Sequence, residues 1–205
     1  FENCSSIVKA PKILPAEEVP DRSYASMFKN CSSLKESPYL PSENPGNNAY
    51  AHMFEGCSSL TSLDVSKFNT KNVMLMDSMF KDCSSLTALD VSRFNTSKVH
   101  YMWNMFENCS SLEKLDVSGF DTSNLDNLGR MFKNCSSLIE LDCSHFDTSK
   151  VYNFGEMFDN CNSLVKLDVS GFNTSNAKYL DEMFYDCEKI KMLDLSGFDT
   201  SKVEA

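Results

Sequence analysis

No run of basic residues occurs anywhere in this chain. Its 19 Lys and Arg are scattered among 29 Asp and Glu, for a formal charge of −10, so nucleic acid is a poor partner on electrostatic grounds. No apolar stretch approaches the roughly 18 to 20 residues that a bilayer-spanning helix requires, so this segment is not expected to insert into a membrane. Histidine is limited to His52, His100 and His145, too few and too dispersed to gather around a metal. Proline is missing after position 45, all six residues falling in the first 50. There is no glycine-rich phosphate loop, and every Ser or Asp that could serve in catalysis sits in a column of like neighbours, which supplies no unique pocket and no histidine partner and argues against an enzyme. A signal peptide is missing too. Phe1, however, already stands inside a repeat, at the place Phe28 and Phe54 hold in theirs, and the chain stops inside another at Ala205. The expectation is a piece excised from a longer protein.

What the chain has is periodicity. Cys4, Cys31, Cys57, Cys83, Cys109, Cys135, Cys161 and Cys187 are separated by 27 residues once and by 26 thereafter. Such a fixed period predicts a solenoid, in which each unit buries its apolar face against its neighbours. The 205 residues then form one elongated repeat domain, with variant units in 1–50 and regular units in 51–205. Eight of the nine cysteines share one column. In-register stacking places their Cα atoms about 4.8 Å apart in a line, too long a Cβ separation for easy bridging and the wrong geometry for tetrahedral zinc. Buried free thiols acting as small apolar residues are the expectation, Cys143 included.

Within a unit, Val99, Met102, Met105, Phe106 and Cys109 recur at spacings of three and four, which predicts a short helix over 98–109. Asn95-Thr96-Ser97 just before it supplies N-cap oxygens. Leu112, Leu115 and Val117 alternate with Asp116 and Ser118, which predicts a short strand with Leu and Val inward and Asp and Ser outward. The fold class is therefore an α/β solenoid of leucine-rich-repeat type, a parallel sheet on one side and helices on the other, with an all-β solenoid as the alternative. In the first two units Pro11 and Pro38 stand where later units have Asp, so pairing loses a donor there. Asn44 to Asn48, with Pro45 and Gly46, reads as a turn.

The unit Met-Phe-x-x-Cys-Ser-Ser-Leu-x-x-Leu-Asp-Val-Ser-x-Phe-Asp-Thr-Ser-x-Val, with the variant Cys-Ser-Ser-Leu-x-x-x-Pro-x-Leu-Pro, resembles the BspA-like leucine-rich repeat surface proteins, a family that takes in a mycoplasma-type lipoprotein repeat of unknown function. The resemblance runs end to end and implies exposure at the cell surface or secretion, with a role in adhesion. Departures are Asn162 for the first Ser after Cys161, Glu188-Lys189 for Ser-Ser after Cys187, and Ala177 in the Val column.

The outward column Asp64, Asp90, Asp116, Asp142, Asp168 and Asp194 has Ser66, Ser92, Ser118, Ser144, Ser170 and Ser196 beside it. Like charges about 5 Å apart repel by roughly 1 kcal/mol per pair even in water, so the column needs an account. Three remain open: carboxylates held by serine hydroxyls and backbone amides, with Lys67 and Arg93 offsetting charge; a recognition stripe for a cationic protein segment or a glycan; or calcium, for which the glycine-rich β-roll motif is missing. The columns Glu55, Lys81, Glu107, Lys133, Asp159 and Lys114, Glu140, Lys166 alternate in sign and predict ladders of ion pairs. The neighbouring positions Ser62, Ala88, Lys114, Glu140, Lys166 and Met192 vary most and are where specificity is sought. Asn69 to Asp199 and Thr70 to Thr200 are expected to satisfy turn backbone. Trp103 and Tyr101 are expected to be exposed. Asn3, Asn30, Asn108 and Asn134 each head an Asn-Cys-Ser acceptor, of doubtful use with the Cys turned inward.

The resulting expectation is a non-catalytic surface binding module of adhesin type, with no cofactor or metal. Its strand face, Asp64, Asp90, Asp116, Asp142, Asp168 and Asp194 with Lys114, Glu140 and Lys166, would meet a host or neighbouring-cell protein or glycan. The alternative is a passive spacer.

Overall fold

A computed structural model describes residues 1–12, 18–36 and 44–204. The chain coils with one turn per repeat, and corresponding residues stack. Among the described residues six short strands pair in parallel: β1 Glu18–Val19 with β2 Asn44–Pro45, β3 Ala88–Leu89 with β4 Lys114–Leu115, and β5 Glu140–Asp142 with β6 Lys166–Asp168. Register is one repeat throughout the later units: Leu89 faces Leu115 and Leu141 faces Leu167. The alternation read from sequence holds. Leu63, Leu89, Leu115, Leu141 and Leu167 are buried, as are Val65, Val91, Val117, Cys143 and Val169, while Asp64, Asp90, Asp116 and Asp142 between them are exposed. Asn44 to Asn48 is not wholly a turn, because Asn44 and Pro45 form β2 and the turn begins at Asn47. The expectation for Pro38 lies outside the described residues.

The helix expected over 98–109 is not formed, and no helix occurs among the described residues. In its place run consecutive tight turns. Met105 N bonds Met102 O at 3.1 Å, Glu107 N bonds Asn104 O at 3.1 Å and Cys109 N bonds Phe106 O at 3.0 Å, each reaching back three residues where a helix would reach four. The intervening amides leave the unit altogether: Asn104 N, Phe106 N and Asn108 N donate to Gly129, Met131 and Lys133 carbonyls of the next repeat at 3.0, 3.0 and 2.8 Å. A helix about 10 Å across stacks too widely for such bonds, whereas strand spacing of about 4.8 Å permits them. Among the described residues, left-handed backbone falls in two columns, with Arg22 outside both. One column is Asn3, Asn30, Gly56, Asp82, Asn108, Asn134, Asn160 and Asp186, and the other is Ser26, His52, Ser78, Asn104, Arg130, Glu156 and Glu182. The first is filled by the residue types that tolerate positive φ best. Parallel bridges then link Leu75, Tyr101, Asn127, Asn153 and Tyr179 in one line. The solenoid thus carries a second ladder half a repeat away from the strands, and the all-β alternative describes it better than the α/β expectation.

Phenylalanine fills the space between the two faces. Rings of Phe1, Phe28, Phe54, Phe80, Phe106, Phe132, Phe158 and Phe184 stack at centroid separations of 5.5 to 6.2 Å, tilted by no more than 14° from one to the next. All nine cysteines are free thiols. From Cys31 to Cys187 each column thiol donates to the Phe carbonyl of the preceding unit, for example Cys109 Sγ to Phe80 O at 3.2 Å and Cys135 Sγ to Phe106 O at 3.2 Å. Buried threonines clamp the following unit from both sides. Thr96 Oγ1 donates to Asp121 O at 2.9 Å and accepts from Asp121 N at 2.7 Å, and Thr148 repeats this on Asn173.

Candidate functional site

The predicted strand face forms an open groove of about 810 Å³. Leu63, Leu89 and Leu115 lie along its floor and Asp64, Asp90 and Asp116 line it too, with Glu113, Ile139 and the variable residues Ser62, Ala88, Lys114 and Glu140 completing it. Asp142 and Asp168, with Glu140 and Lys166, line a smaller cleft of about 70 Å³. Asp194 stands outside both, exposed to solvent. β4 and β5 are not paired, so the ladder opens within the groove, between the units that carry Lys114 and Glu140.

Each carboxylate is pinned by the residue two positions on. Asp64, Asp90, Asp116 and Asp142 accept through Oδ1 from the backbone N–H of Ser66, Ser92, Ser118 and Ser144 at 2.9 Å, and Ser144 Oγ adds a bond at 2.7 Å. Asp168 and Asp194 do the same with Ser170 and Ser196. Bonds from the serines hold Asp64, Asp90, Asp116 and Asp142 below the ordinary carboxylate range, because hydrogen bonds to the charged form favour it. Neighbouring cations add to this: Lys67 acts on Asp64, Arg93 on Asp90 and Lys166 on Asp142. This is how the column tolerates its own repulsion. It leaves Oδ2 of each aspartate without a partner among the described residues.

The ion-pair ladders are realised in one column and not in the other. Lys29–Glu55 at 2.9 Å, Lys81–Glu107 at 2.7 Å and Lys133–Asp159 at 2.6 Å join alternate pairs of units. Among the described residues Lys114, Glu140 and Lys166 form no ion pair, since short strands on an open face let long side chains turn to solvent. The expected turn column behaves as read: Asn95, Asp121 and Asp147 accept from the N–H of Ser97, Ser123 and Ser149 at 3.0 to 3.1 Å. These bonds close turns and cap no helix. The acceptor asparagines are engaged too: Asn134 Nδ2 donates to Asn108 Oδ1 at 2.6 Å and Asn30 Nδ2 to Asn3 Oδ1 at 2.8 Å.

A second concavity was not read from the sequence. On the turn face, a cleft of about 370 Å³ is lined by Trp103, Asn104, Asn127, Asn153, Tyr179 and Asp181 together with Gly129, Gly155, Arg130 and Glu156. Its signal was present as a lapse in one column, where Asp77 and Trp103 are followed by Gly129 and Gly155 before Asp181 returns. Close by, Glu156, Asp159 and Glu182 bring three carboxylate oxygens within 4.8 Å of one another. Lys133 pairs with both Glu156 and Asp159, and Arg130 holds Glu156, so side-chain cations already neutralise most of that cluster.

Parallel ladders of one-repeat register, a leucine and phenylalanine core and an open strand face define a leucine-rich-repeat solenoid. Among solved structures, the chain is similar in fold to the leucine-rich repeat protein TpLRR of T. pallidum, with a TM-score of 0.53 and 19% identity over 89% of this chain and 78% of that one. Weaker likenesses are a leucine-rich cell surface protein from Faecalibacterium prausnitzii (TM-score 0.26, 15% identity, 89% of this chain and 86% of that one) and a leucine-rich repeat protein from Bacteroides ovatus (0.23, 18%, 93% and 67%). No curated protein matches the chain in sequence. Residues 22–138, 48–164 and 111–205 match the family described as "Mycoplasma protein of unknown function, DUF285". The chain belongs to that family, the mycoplasma-type branch of the BspA-like leucine-rich repeats that its units resemble.

Proposed function

We propose that this chain is a non-catalytic binding module of a cell-surface or secreted protein, of adhesin type, and that its strand face takes a cationic segment of a partner protein. The observation that supports this reading most is the groove itself, with an apolar floor bordered by aspartates whose Oδ1 atoms are fixed in place and whose Oδ2 atoms are free to accept. A carboxylate already oriented by its own backbone loses little side-chain entropy on pairing with a lysine or arginine. A row of them at the repeat spacing suits an extended chain, and the chain's charge of −10 favours encounter with a basic partner. A glycan on the same face is the other ligand class, its hydroxyls donating to the same Oδ2 atoms. The spacer reading draws support from a different observation, the near-identical thiol and threonine bonds that join one unit to the next.

The test is binding of the purified chain to arrays of extracellular-matrix proteins and glycans, beside a variant with Asp90, Asp116, Asp142 and Asp168 changed to Asn. Saturable, salt-sensitive binding to a protein that the folded variant loses supports the reading. Binding that the variant retains moves the site off the aspartate column. No binding to any array member favours the spacer.

A further inference from the structure

On the turn face one column loses its side chains in two successive repeats. In the column of Asp77, Trp103, Gly129, Gly155 and Asp181, the glycines remove two successive side chains and leave a notch two units wide, about 10 Å at strand spacing. They are needed for more than width. A Cβ at 129 would lie 3.0 Å from Asn153 Nδ2 and 3.1 Å from Asn127 Oδ1, and one at 155 would lie 2.9 Å from Asp181 Oδ1. The asparagine amides therefore fold over the glycines to make the floor. There Asn127 Oδ1 and Asn153 Oδ1 are oriented by the N–H groups of Gly129 and Gly155 at 2.8 Å each, and their Nδ2 groups have no partner among the described residues.

A further polar residue stands in the wall. Asn104 is only 5% exposed, lines the cleft, and its Oδ1 accepts no hydrogen bond among the described residues. A buried amide oxygen left unpaired costs stability unless something supplies a donor. At the two ends stand aromatic side chains, Trp103 at 41% and Tyr179 at 40% exposure. The flank is an internal ion pair, Arg130 Nε to Glu156 Oε1 at 2.9 Å. With Asp181 added, the cleft carries a net negative charge that disfavours phosphate or carboxylate ligands.

We propose that this notch is a binding site for a neutral saccharide, separate from the strand-face groove. Two oriented amide groups with free N–H donors on the floor and exposed aromatic side chains at either end match a ring that carries hydroxyls around its edge and C–H groups on its faces. A peptide is the poorer occupant. The backbone around the notch is already paired, with Trp103, Gly129, Gly155 and Asp181 carbonyls each accepting from the preceding unit, which leaves no free edge for strand addition, and the floor offers no apolar pocket for an anchor.

The chain supplies its own probe, because Trp103 is its one tryptophan. Its fluorescence is titrated with a panel of free neutral mono- and disaccharides, while amide side-chain resonances of Asn127 and Asn153 are followed by NMR. The expected result is a saturable change in both signals for at least one sugar. Asn127→Ala and Asn153→Ala, each shown by circular dichroism to be folded at the temperature of the titration, should weaken it by about tenfold, the scale of one hydrogen bond lost from a desolvated site. Tyr179→Ala, an exposed position that does not threaten folding, should weaken it as well. The Asp90, Asp116, Asp142 and Asp168 to Asn variant should leave it unchanged, which separates this site from the strand-face reading. No response of either signal to any sugar overturns the proposal, as does a response that Asn127→Ala, Asn153→Ala and Tyr179→Ala all leave intact.

Discussion

Cysteine in this chain is a packing residue with a weak donor. Burial pushes the Cys57 and Cys109 thiols up to about 12 and Cys187 to about 11, so at neutral pH almost no thiolate exists to react. Cys4 is the exposed exception and Cys187 is half-buried. A thiol reagent applied to the native protein at neutral pH should modify Cys4 promptly and Cys187 slowly, and the remaining seven only on unfolding; mass spectrometry counts the adducts. The aspartates give a second expectation. Asp64, Asp90, Asp116, Asp142, Asp121 and Asp147 all hold protons less tightly when folded, through bonds from the following serines. Acid therefore protonates the unfolded chain first. Their stabilisation is complete above the ordinary carboxylate value of about 4 and is lost as pH falls through the lower native values. Melting temperature, measured across pH, should decline below about 4. His52 works in the other direction, since Asp77 at 2.8 Å and Glu55 at 2.6 Å raise it; its contribution is present below about 6.5 and fades as pH rises through its native value.

At the scale of the element, the strand was legible and the helix was not. Leu115, Asp116 and Val117 alternate in and out because a strand has a period of two, and nothing else in the unit does. Spacings of three and four are shared by a helix and by tight turns that each bond three residues back. The distinguishing mark was the Asn/Gly/Asp column ahead of each Cys, since a residue with positive φ ends a helix and Asn108 stands one residue before Cys109. The partner column, with Arg130 and Glu156 at positive φ, has no compositional mark and was not recoverable from sequence. A far-UV circular dichroism spectrum should accordingly lack the paired helical minima. The threonine clamp is the element's most specific joint. Thr96→Val and Thr148→Val each strand a backbone N–H, of Asp121 and Asn173 respectively, and should cost about 1 to 3 kcal/mol in urea unfolding. Thr→Ser at the same positions keeps both bonds and should cost less.

For the whole molecule, the period, the inward columns and the acidic strand face could be read directly, because each is a property of every unit. The notch on the turn face could not be read that way, because it belongs to two units only. Trp103 looks like an isolated aromatic until the second ladder places it across two glycines from Tyr179 and Asp181. Lys114, Glu140 and Lys166 stand at exposed strand positions, yet the ion pairs expected among them are not formed among the described residues, since sign alternation says nothing about where long side chains point.

The Phe spine and the column thiols join one unit to the next in the same way along the stack, and among the described residues no hydrogen bond or ion pair skips a unit to act as a clasp. Pulled by its two ends, such a stack shears off one coil at a time. Each release frees 26 residues of about 3.3 to 3.6 Å, less one strand spacing, so the tether should lengthen in even steps of about 85 Å. Under load at a surface the chain would behave as a ratcheting shock absorber, giving up length in fixed amounts while its remaining coils, and whatever they hold, stay intact.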